Sequence, residues 1–177
     1  MRPPWTLSVV KKEVKALESA LETVPMIGTD LAASSIGLPS ALNSVGEMTT
    51  AAGLRLGVHG AWSRASRCDV LLVPGCWVES AADVEALLAR NDVKACGLVL
   101  RQAARRGAVL GSSCTGAFVM AAAGLLDGHR ATTTWWLGAE LRRRFPRVEV
   151  DESHSLVSED RLLCAGTVFA MADLALA

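Results

Sequence analysis

The stretch Gly107-Ala108-Val109-Leu110-Gly111-Ser112-Ser113-Cys114-Thr115-Gly116-Ala117-Phe118-Val119-Met120-Ala121-Ala122-Ala123-Gly124-Leu125-Leu126-Asp127-Gly128 decides how the chain is read. A short apolar run, a cluster of small residues and an alanine-rich apolar segment follow one another. That order predicts a buried strand, a sharp turn and a helix ended by Gly128. Cys114 falls in the turn, at the carboxyl end of the strand and the amino end of the helix. Unpaired amides and the positive end of the helix dipole at such a place favour thiolate over thiol. The competing reading is a structural cysteine buried in the core, the ordinary state of a free thiol.

Toward the N-terminus, Arg67-Cys68-Asp69-Val70-Leu71-Leu72-Val73-Pro74-Gly75-Cys76 places four aliphatic residues before a Pro-Gly stop. This is the pattern of a central strand buried on both faces, as in a parallel sheet. Glu79 to Arg90 and Val93 to Arg106 read as two helices between that strand and the next. Alternating strands and helices imply an α/β fold with a doubly wound parallel sheet and right-handed crossovers. Ligands in such sheets bind beyond the carboxyl ends of the strands, so Gly75, Cys76 and Cys114 are expected to be neighbours.

Farther out, Thr49 to His59 reads as extended, with Leu54, Leu56 and Val58 alternating. Ile36 to Val45 is a short helix or loop, and Lys11 to Glu22 a surface helix with an apolar stripe of Val14, Leu17, Leu21 and Val24, stopped by Pro25. Asp30, just before Leu31-Ala32-Ala33, has the position of a helix N-cap. Downstream, Arg130 to Trp135 reads as a short strand running into a helix that reaches Phe145. Val148 to Val150, Ser155 to Val157 and Arg161 to Cys164 read as strands, and Thr167 to Ala177 as a final helix. Arg142, Arg143, Arg144 and Arg147 form a basic cluster of the kind found on solvated helix ends.

Composition sets outer bounds. The 177 residues suffice for one domain with a real core, and 51% of them are hydrophobic. Zero net charge argues against a disordered chain and a generally basic nucleic-acid binder. No apolar run approaches the roughly 20 residues that cross a bilayer. Pro3-Pro4 and a lysine-bearing segment occupy the place where a signal peptide would be apolar, so a cytoplasmic location without a membrane partner is expected. Five cysteines without Cys-x-x-Cys spacing or nearby histidines suggest neither a disulfide framework nor a zinc site.

From about Thr49 to Leu176 the chain resembles the DJ-1/PfpI superfamily, a branch of the flavodoxin-like class I glutamine amidotransferase-like fold. Within it, the likeness is to the N-terminal domain of AraC-type regulators of the GlxA kind and to isocyanide hydratases. The matching words are Asp69-Val70-Leu71-Leu72-Val73-Pro74-Gly75, Ser113-Cys114-Thr115-Gly116-Ala117-Phe118, Ala123-Gly124-Leu125-Leu126-Asp127-Gly128, Arg130-Ala131-Thr132-Thr133 and Arg144-Phe145-Pro146-Arg147-Val148. The resemblance implies that Cys114 is the family's elbow cysteine and that the Gly75 and Thr115 amides form an oxyanion hole. It implies that Asp30 is the acid that hydrogen-bonds the cysteine, and that no metal or organic cofactor is needed. In the isocyanide hydratases so resembled, thiolate attack gives a covalent adduct that water resolves to an N-formamide.

This sequence also departs from the family. Thr134 stands where the family has a His before Trp135, which removes the base of a Cys-His mechanism. His129 and His154 read as surface residues rather than substitutes. Cys76 replaces the second Gly of Pro-Gly-Gly and sets a second thiol beside the expected pocket. It would pair with Cys114 as a redox couple if the Cα atoms lay within about 7 Å, while the plainer reading gives a role to its backbone alone. Residues 1–48 read as an atypical N-terminal segment of a single domain whose best-matching core is 49–177, with incomplete elements expected at both ends and no helix-turn-helix recognised in these residues.

Three functions fit these residues. One is a small-molecule sensing domain descended from an AraC-type regulator, homodimeric and not binding DNA directly, with a pocket of Cys114, Cys76, Thr134 and Trp135. Another is a stand-alone hydratase with Cys114 as nucleophile and Asp30 as acid and base. The third is an inactive remnant that keeps the fold.

Overall fold

The structure is a computed structural model that describes residues 46–49, 55–58, 62–76, 78–167 and 170. In chain order the elements are β1 (Gly46–Thr49), β2 (Arg55–Val58), α1 (Trp62–Ala65), β3 (Val70–Val73), α2 (Ala81–Ala89), α3 (Asn91–Arg105), β4 (Val109–Ser113), α4 (Gly116–Ala122) and β5 (Arg130–Ala131). A 3₁₀ turn (Trp135–Leu137), α5 (Gly138–Arg144), β6 (Glu149–Val150), β7 (Leu156–Glu159) and β8 (Leu162–Ala165) complete them. The N-terminal helix, Asp30 and nearly all of the final helix expected from the sequence lie outside the described residues.

All four residues of β3 are buried, as a strand covered on both faces requires. The strand runs parallel to β4 in the register Val70↔Val109 to Val73↔Ser112, and β4 runs parallel to β8 from Leu110↔Leu162 to Ser113↔Ala165. The sheet order β3-β4-β8-β7 closes with β7 antiparallel to β8. The register brings the carboxyl tips of β3, β4 and β8 side by side. β1 and β2 form a separate antiparallel pair, Gly46↔Val58 to Thr49↔Arg55, so the extended reading of Thr49 to His59 holds for its second half.

Helices fill the connection from β3 to β4. A reciprocal capping box starts α2, with the Asp83 amide donating to Ser80 Oγ and the Ser80 amide to the Asp83 carboxylate. Along α3, Cys96, Gly97, Leu100 and Ala103 are buried at spacings of one helical face. Gly97 lets this helix approach Ala123, whose Cβ would lie 3.4 Å from a Cβ at that glycine. Residues Gly116 to Ala121 of α4 are all buried, which is why that segment is apolar all round.

The helix after Cys114 ends earlier than the sequence suggests. Gly124, at φ 72°, stops it, with its amide on the Ala121 carbonyl and the Leu125 amide on the Met120 carbonyl. This pair of bonds is a Schellman stop, for which a left-handed glycine is the favoured residue. Gly128, also at positive φ, turns the chain into β5 instead.

Candidate functional site

Cys114 follows the last residue of β4 and precedes α4. Its φ of 53° puts it in the left-handed region, which few non-glycine residues adopt. Three bonds hold it there: its amide donates to the Ala165 carbonyl at the tip of β8 (2.7 Å), and its own carbonyl accepts from Thr133 Oγ1 (2.8 Å) and from the Ala117 amide (3.5 Å). Backbone strain of this kind persists where surrounding structure over-determines it. The left-handed turn makes Cys114 half-buried between the buried Ser113 and Thr115.

Gly75, at the tip of β3, packs directly on this turn. A Cβ there would meet Cys114 Cβ at 2.7 Å and Sγ at 3.2 Å, so the close approach requires a glycine. Gly116 plays the matching part under α4, where a Cβ would meet the Val73 carbonyl oxygen at 2.4 Å. Gly75, Cys114 and Thr115 therefore converge. Cys76 joins them through its backbone, because its amide donates to Thr115 Oγ1 (2.7 Å) and its carbonyl accepts from the same hydroxyl (2.6 Å). The Cys76 side chain is buried in the core with Cys96, and neither is in a disulfide.

The electrostatics correct one sequence expectation. Burial pushes the Cys114 thiol up, outweighing the Thr115 amide and hydroxyl, which by themselves lower it. Desolvation outweighs the turn's donors at a half-buried sulfur, and α4 is only seven residues long. The Gly75 amide is also engaged: it donates to Ser113 Oγ at 3.2 Å. That bond, and the structural parts of Thr133 and Ser113, were not visible from spacing, since hydroxyls in a small-residue run look interchangeable.

Thr134 and Trp135 are adjacent in sequence but in opposite surroundings. Thr134 is 1% exposed, and its hydroxyl has no hydrogen-bond partner among the described residues. Trp135 is 81% exposed and meets Trp136 edge to face, with ring centroids 5.7 Å apart. His129 lies near Glu159, and the exposed His154 contacts Asp151 and Ser153. Both of the latter contacts use Nδ1, so Ser153, His154 and Asp151 do not form a relay through the two ring nitrogens. The basic cluster is neutralised locally: Arg143 and Arg144 pair with Glu140, Arg142 with Glu152, and Arg147 with Asp127. Among the described residues, no group of His, Cys, Asp and Glu is arranged to hold a metal, and no helix is long and apolar enough to cross a membrane.

The geometry has close counterparts among solved structures. DJ-1beta from Drosophila melanogaster superposes with a TM-score of 0.62 at 13% identity, covering 98% of this chain and 82% of that one. An AraC family transcriptional regulator from Pseudomonas putida gives 0.60 at 20% identity, covering 96% and 80%. The chain has the DJ-1/ThiJ/PfpI fold. No family model matches its sequence. This DJ-1/ThiJ/PfpI-like chain is 52% identical over 50 residues to an uncharacterized protein in the cpoL 5′ region of Streptomyces lividans, over 28% of the chain and 36% of that protein. To the HTH-type transcriptional regulator ArgR of Pseudomonas aeruginosa it is 39% identical over 83 residues, 47% of the chain and 25% of the regulator. To the HTH-type transcriptional regulator GlxA of Rhizobium meliloti it is 27% identical over 128 residues, 70% and 36%. The matches thus span between 25% and 36% of these relatives' own lengths.

Proposed function

We propose that this DJ-1/ThiJ/PfpI-like chain is a small-molecule sensing domain of regulator type, with its ligand at the corner made by Cys114, Thr115, Gly75 and Thr134. One observation carries the reading: a left-handed, half-buried cysteine is held at the joined tips of three parallel strands, where ligands of open α/β sheets bind. Similarity to ArgR and GlxA supports the regulator setting. A raised Cys114 thiol supports sensing over a hydratase, which needs the thiolate as nucleophile. In this reading the protein is a cytoplasmic homodimer, and the locally paired arginines support a chain that does not bind DNA directly.

A thermal-shift screen of small metabolites tests it. At least one compound is expected to raise the melting temperature of the native chain by several degrees and to lose most of that effect in Cys114→Ala. Absence of any such compound, or an equal shift in the variant, would reject the corner as the sensing site.

A further inference from the structure

The two residues that flank Cys114 both carry hydroxyls, and both reach across to the tip of β3. Ser113 Oγ accepts from the Gly75 amide at 3.2 Å, and Thr115 Oγ1 accepts from the Cys76 amide at 2.7 Å. Both side chains are buried, Ser113 at 3% and Thr115 at 0% exposure. Successive amides at such a tip are the donors that a carboxylate or a developing oxyanion would use. Here the elbow itself supplies their acceptors. An anion that took the Gly75 amide would displace a buried hydroxyl, which would lose that bond.

A second, independent observation concerns what is left over. The Thr134 hydroxyl follows Thr133, whose own hydroxyl holds the Cys114 carbonyl, and it is buried without a partner among the described residues. It is an uncharged group able to give and accept hydrogen bonds, so no charge on this segment offsets the loss of the Gly75 amide to an anion.

Resting on the sensing reading above, we propose that Ser113 is a specificity-determining residue of the Cys114 corner: its hydroxyl occupies the Gly75 amide, so the site takes uncharged ligands in preference to carboxylates and other oxyanions. Ser113 sets this selectivity from within the protein, through its bond to the Gly75 amide.

Two alkylating reagents that differ in charge supply the test. Iodoacetamide is neutral and iodoacetate carries a carboxylate; with either one the thiolate displaces iodide and forms a carbon–sulfur bond. Rates at Cys114 are read by peptide mass spectrometry on the full chain, with the half-buried Cys68 as an internal reference. In Ser113→Ala the iodoacetate-to-iodoacetamide ratio at Cys114, relative to Cys68, should rise about tenfold, the worth of one charge-assisted hydrogen bond. Ser113→Thr, which keeps the hydroxyl, should return it to the native value. Should Ser113→Ala lose the native circular dichroism, Ser113→Gly removes the same hydroxyl and gives the same comparison. An unchanged ratio with Cys114 still alkylated would overturn the role of Ser113 and leave the sensing reading standing. Failure of both reagents to reach Cys114 in the native chain would overturn the two together.

Discussion

At the scale of single residues, the left-handed backbone of Cys114 costs on the order of 1–2 kcal/mol. Thr133 helps to meet that cost from one side, since its hydroxyl is a donor to the Cys114 carbonyl. Thr133→Val keeps the shape and removes the nearer of the two donors, leaving that carbonyl only the long bond from the Ala117 amide at 3.5 Å. The variant should lose about 1–3 kcal/mol of unfolding free energy in urea titrations, and Thr133→Ser should recover most of it. Equal stability of native chain and Thr133→Val would show that the Ala117 amide suffices for the carbonyl and that the turn does not depend on Thr133.

Between elements, the decisive contact is the seat of α4 on β3. Gly116 opens α4 with nothing between it and the β3 backbone, for a Cβ would lie 2.4 Å from the Val73 oxygen and 2.9 Å from the Pro74 oxygen. These are backbone atoms of a buried strand and its stop, so they cannot swing aside as a side chain would. Gly116→Ala is therefore expected to destabilise by about 1–3 kcal/mol, the usual effect of overpacking. Because α4 begins two residues after Cys114, the substitution should also change the rate at which Cys114 is alkylated. A variant with native stability and native alkylation rate would show that α4 can lift without moving the elbow.

Over the whole molecule, burial pushes up three thiols in different places: Cys96 to about 12, and Cys114 and Cys164 above their ordinary value. Unfolded thiols titrate near ~8.5. The unfolded chain thus releases these protons first as pH rises, so the stability tied to them is complete below that pH and is lost toward the folded values. Urea midpoints should fall between about pH 8.5 and the Cys96 value, and Cys96→Ala should fall less steeply over that range. A flat profile in the native chain would mean that the thiols are solvated in the folded state.

The amino-acid order alone determined the layout that brings these residues together. Val70 to Val73 are all aliphatic and can be buried on both faces only inside a sheet, and small residues on either side of Cys114 permit a sharp turn and close packing. These are local properties, written into neighbouring residues. Element ends were less legible: Gly124 and Gly128 are both left-handed glycines, and only the bonds of the preceding turn select the first as the helix stop. The state of the corner was decided by tertiary structure. Ser113 and Thr115 take the amides of residues 38 and 39 positions away in sequence, and desolvation by distant parts of the fold outweighs the turn's own donors at the Cys114 sulfur. Ionisation and hydrogen-bond satisfaction depend on everything packed around a group, and chain order specifies that surrounding only once the strands have met.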